Sequence, residues 1–66
     1  MDDLEAIKAE IKKLSARAMQ AKMDLHDLSE ELPQGWEGVM DVALRTRDAF
    51  AALEAKRAEL KLLERA

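Results

Sequence analysis

His26 is the one imidazole in the 66-residue chain, and Glu30 follows it by four residues, so on a helix the two side chains meet across one turn. Met19 and Met23 precede them, and steps of four, three and four make Met19, Met23, His26 and Glu30 an outward stripe. One imidazole, one carboxylate and two thioethers form a poor metal set, because zinc sites draw on several His or Cys ligands. His26 with Glu30 is the sole candidate metal pair. The stripe reads first as surface, with its exposed methionines a candidate contact for a partner. Nucleophilic catalysis finds no constellation. There is no cysteine or tyrosine, and Ser15 and Ser29 read as helix hydroxyls with no activating histidine. The carboxylates fall at exposed helical spacing with no pocket to raise their pKa, and no glycine loop is present to cradle phosphate. The expectation is a non-enzymatic protein without a cofactor.

Two long elements position these residues. The only Pro/Gly cluster is Pro33-Gln34-Gly35-Trp36-Glu37-Gly38, and both flanks are rich in Ala, Leu, Glu, Lys and Arg, which favour helix. The spacing predicts helix one over about 3–32, a turn over about 33–37 and helix two over about 38–65. Asp2 can cap helix one, with Glu5 at the capping-box distance. Leu4, Ile7, Ile11, Leu14, Ala18, Ala21, Leu25, Leu28 and Leu32 follow in alternating steps of three and four. That average of about 3.5 is the seam of a left-handed coiled coil. Helix two offers Trp36, Val39, Ala43, Thr46, Phe50, Leu53, Arg57 and Leu60, with Val42, Ala49 and Leu63 beside the line. Its wide stripe suits contact with more than one neighbour.

Folding the chain at 33–35 gives an all-α antiparallel hairpin in which facing residue numbers sum to about 68. Phe50 then meets Ala18 and Leu25 meets Ala43, large against small. Arg57 falls beside Glu10. Trp36 is expected to pack over Leu32 and Val39 and close the turn; in a second reading it anchors a partner. A chain of 66 residues rarely buries a sufficient core alone, and without cysteines the remaining aid is association. The expected assembly is a homodimer forming a four-helix bundle. No apolar run exceeds Ala49–Leu53 and no signal-peptide pattern opens the chain, so the expectation is a cytoplasmic protein with no membrane contact.

Lys22-Met23-Asp24-Leu25-His26-Asp27-Leu28, then Glu31-Leu32-Pro33 and Trp36-Glu37, resembles the signature of the Rop-like family of small proteins encoded among bacterial nitrogen-fixation genes. Val42-Ala43, Thr46 and Ala49-Phe50 fit the same pattern. The chain departs from it at Gln34, where a hydroxyl residue is common, and near Met40, where a proline is common; both bear on where helix two begins. The resemblance implies a two-helix hairpin that dimerises into a rod and an accessory role in nitrogen fixation, with a protein partner from that system.

The charge is uneven. Between Met23 and Leu44 stand Asp24, Asp27, Glu30, Glu31, Glu37 and Asp41 with no Lys or Arg, a net of −6; the remaining eight acids and eleven bases give +3. Dimers with turns at opposite ends therefore put acid beside base. The acidic end also suits a basic partner surface, with Met19, Met23, Asp24, His26, Asp27, Glu30, Glu31 and Trp36 the candidate contacts. Lys8, Lys12, Lys13, Arg17 and Lys22 give helix one a basic half, but they share no face and have acids Glu5 and Glu10 among them. Nucleic acid is thus not the expected partner, and a small RNA-binding regulator of Rop type is the alternative.

Overall fold

The computed structural model describes residues 3–65; the capping role expected of Asp2 lies outside them. Helix α1 runs Asp3–Glu31 and helix α2 runs Val39–Arg65, joined by a short turn and a 3-10 segment, Trp36–Gly38. There is no strand among the described residues. The two helices lie side by side as a rod of 50 × 16 × 13 Å. At about 1.5 Å per residue each helix runs nearly its full length.

The break follows from Pro33 and Gly35. The Pro33 ring cannot donate to the α1 ladder, and the chain leaves the helix one residue before Leu32. The amide of Gln34 donates to Glu31 O at 2.9 Å, Trp36 N to Pro33 O at 3.3 Å and Gly38 N to Gly35 O at 3.0 Å. Gly35 takes a left-handed conformation with φ of 77°, which glycine alone adopts without strain. A Cβ there would stand 3.2 Å from Leu28 Cδ1, so the main chain lies directly over the last core leucine of α1. These ladders begin with 3-10 bonds, so α2 proper starts at Val39, one residue after the expected start.

The seam holds Ala18, Leu53 and Ile7 as the buried side chains, at 1%, 3% and 8% exposure. Leu4, Ile11, Leu14, Ala21, Leu25, Leu28, Val39, Ala43, Thr46, Phe50 and Leu60 are half-buried in the single chain. Leu32, expected in the core, is exposed at 44%, because it stands past the end of α1 where no α2 residue lies opposite. Thr46 is the polar member of the seam. Its hydroxyl donates to Val42 O at 2.8 Å and also lies 3.3 Å from Ala21 O across the helices.

The register differs slightly from expectation. Lys56 meets Glu10 at 3.4 Å and Thr46 meets Ala21, pairs whose numbers sum to 66 and 67 and not to 68. Arg57 is therefore turned away from Glu10 and bonds Glu54 on its own helix at 3.0 Å. From Leu53 the seam advances three residues to Lys56 and then four to Leu60, the reverse of the expected order. Among the described residues no helix is long and apolar enough to cross a membrane.

Candidate functional site

One side of the two-helix layer carries an open groove of about 310 Å³. Ala21 of α1 and Val42 and Ala49 of α2 form its apolar floor; Arg17, Gln20, Asp24 and Arg45 form its rim. The hollow exists because small side chains stand at three neighbouring positions beside the seam, where larger ones would fill the space. One pair lies within the rim and one reaches outside it. Gln20 Nε2 donates to Asp24 Oδ1 at 3.0 Å, and Arg45 pairs with Asp41 at 3.4 Å.

His26 stands on the exposed outside of α1. Its Nε2 is 3.3 Å from Glu30 Oε1 and its Nδ1 is 3.6 Å from Asp27 Oδ1, with all three side chains about two-thirds exposed. Ser29 is only three residues on, a reachable offset that the sequence reading passed over. Its hydroxyl, however, donates to the His26 carbonyl oxygen at 2.7 Å and not to the ring. Among the described residues no three His, Cys, Asp or Glu side chains converge where a metal ion could sit. His26 and Glu30 are brought together as an exposed pair in water, a geometry worth little in stability.

The partner-contact candidates divide into two groups. Met19 and Met23 are exposed on α1, as are Asp24, Asp27, Glu30 and Glu31. Trp36 stands apart, at the turn, and is 64% exposed. The expectation that it covers Leu32 and Val39 is corrected: it lines a shallow hollow with Pro33, Gln34, Gly35 and Glu37. The indole stands out from the turn and does not shield Leu32, which is itself 44% exposed.

Three exposed apolar residues escaped the sequence reading: Met40 and Leu44 near the turn, and Leu62, 67% exposed, near the far end of α2. Met40 is 70% exposed and Leu44 is also exposed. The signal for Met40 and Leu44 was present in the repeated step of four through Trp36, Met40 and Leu44, which runs beside the seam and not along it. Lys56 was likewise overlooked. It is the half-buried base of the seam, and its pKa is raised above the ordinary lysine value by its hydrogen bond to Glu59 and by the nearby charges of Glu10 and Glu59.

A family model described as Rop-like matches residues 2–65. A UPF0437 protein of Azorhizobium caulinodans is 55% identical over 64 residues, covering 97% of this chain and 93% of its own. A Frankia alni protein named as a UPF0437 protein in the nifX-nifW intergenic region is 51% identical over 51 residues, covering 77% of this chain and 62% of its own. A structural-genomics protein solved by NMR superposes with a TM-score of 0.91 at 45% identity, covering 98% of this chain and 92% of that one.

Proposed function

The chain belongs to the Rop-like family, and on that premise we propose that it is a non-enzymatic helical interaction protein that dimerises into a four-helix bundle and serves nitrogen fixation through protein contacts. The observation that carries the dimer is the open groove over Ala21, Val42 and Ala49. The surface area supports it. The chain exposes 5309 Å², whereas a compact monomer of 7.4 kDa exposes about 4,200 Å². The excess of about 1,100 Å² is more than the roughly 800 Å² each partner contributes to a standard interface.

Charge and side-chain size favour copies with turns at opposite ends. Each −6 turn half then lies beside a +3 open half. A two-fold axis through the middle of the rod brings Leu14 of the second copy, half-buried in the single chain, opposite Ala21 at the groove. With the turns together, the small residues would face themselves across a void and twelve acids would crowd one end. The nitrogen-fixation part is supported by the name of the Frankia alni relative.

Two measurements test this reading. Light scattering in dilute buffer should give twice the 7.4 kDa chain mass. A tagged pull-down from nitrogen-fixing cells should retain a protein that is lost when Asp27, Glu30 and Glu31, which stand clear of the groove, are changed to Asn or Gln. Enrichment of RNA with no protein would overturn the reading in favour of an RNA-binding regulator.

A further inference from the structure

We infer that the flank of α2 carrying Met40 and Leu44, continued by Trp36 at the turn, is a docking ridge for a cationic amphipathic helix of a protein partner. The inference deepens the interaction reading above and rests on it. Trp36 and Met40 are 64% and 70% exposed, and Leu44 joins them one turn further on. Trp36 is the largest side chain in the chain and Met40 is unbranched and adaptable, and both types are enriched at recognition surfaces. At about 100° per residue, Met40 lies about 180° around α2 from Ala49 and about 160° from Val42. A second copy seated on the groove therefore leaves the ridge uncovered.

The charge around the ridge selects its occupant. The whole segment from Met23 to Leu44 holds six acids and no Lys or Arg. Just past Leu44, Arg45 pairs with Asp41 at 3.4 Å and Arg47 with Asp48 at 3.0 Å, which leaves Glu37 on the turn and Glu31 at the end of α1 without an ion pair among the described residues. Such a field attracts basic side chains and repels nucleic acid and anionic lipid. The length fits a helix: Trp36 to Leu44 spans about 12 Å, two helical turns, which matches anchors at i, i+4 and i+7 of a partner helix.

The test uses the full-length protein and a displayed library of random peptides about 16 residues long, enough for about four helical turns. Selection on the wild type should enrich peptides of net positive charge with apolar residues three and four apart. Enrichment on Met40→Ser/Leu44→Ser should fall about tenfold or more, as expected for loss of anchor residues. Trp36 is the only tryptophan, so its emission should shift to the blue on titration with an enriched peptide, saturate at one peptide per chain and weaken with added salt. Enrichment of neutral or acidic peptides, equal enrichment on the variant, an unmoved Trp36 emission or preferential binding of phosphatidylserine vesicles would each overturn the inference. So would a halved mass of Met40→Ser/Leu44→Ser, because the ridge would then be the self-association face. If wild type and variant are both monomers and the peptide still binds at Trp36, the dimer reading fails and the ridge stands.

Discussion

Lys56 reaches across the hairpin seam to Glu10 at 3.4 Å, while its neighbour Arg57 pairs within α2. Lys56 also bonds Glu59 at 3.1 Å, so one half-buried ammonium ties two carboxylates from both helices. Its raised pKa has a defined consequence. The contribution is fully present below the unfolded lysine value of about 10.4 and is lost as pH rises through the higher folded value. Wild-type urea midpoints should therefore fall between pH 9 and pH 12 by more than those of Lys56→Met. Parallel curves for the two proteins would refute the role.

Gly35→Ala should destabilise the chain by about 1–2 kcal/mol, the cost of a left-handed alanine. The new methyl also stands 3.2 Å from Leu28 Cδ1, so the leucine must shift. Chemical denaturation measures the loss, and Gly35→Asn should cost less, because asparagine tolerates this conformation.

Ala49→Glu should separate the proposed dimer while keeping the hairpin helical. The carboxylate enters the apolar floor beside Ala21 and Val42, and an unpaired charge buried at an interface costs about 3–5 kcal/mol. The scattering mass should halve. The melting temperature should depend on protein concentration for the wild type and not for the variant.

Leu53→Ala truncates one of the two large side chains, with Ile7, that are buried among the described residues. Truncations of this kind cost about 2–5 kcal/mol, comparable to the whole of what a core this small supplies. Circular dichroism should show most of the helix lost at 25 °C, regained at high protein concentration if association stabilises the fold.

The hairpin was legible because α1 keeps its three-four spacing from Leu4 to Leu28 without fault, and because Pro33 and Gly35 admit only a break. The register of α2 was less so. Ala49, Ala51, Ala52, Ala55 and Ala58 fit any face of a helix, so the sequence does not distinguish a seam through Arg57 from one through Lys56. The exposure of Trp36 was hidden for another reason: an indole near apolar residues reads as core, while its actual direction depends on the turn that the left-handed Gly35 sets. Met40 and Leu44 were missed because a search along the seam passes over a second apolar line on the same helix.

The buried side chains are unevenly spread along the rod. Ile7 and Leu53 belong to the open half and Ala18 to the middle, while the turn half has only half-buried seam residues. Fewer fully excluded contacts mean a smaller free energy for local opening. Amide hydrogens flanking the turn, near Leu28 and Ala43, should therefore exchange with solvent faster than those near Ala18 and Leu53. The half of the molecule that carries Trp36 is thus the half whose side chains can repack around what they meet, with the turn tying the helices at one side of it and the buried Leu53 and Ala18 at the other.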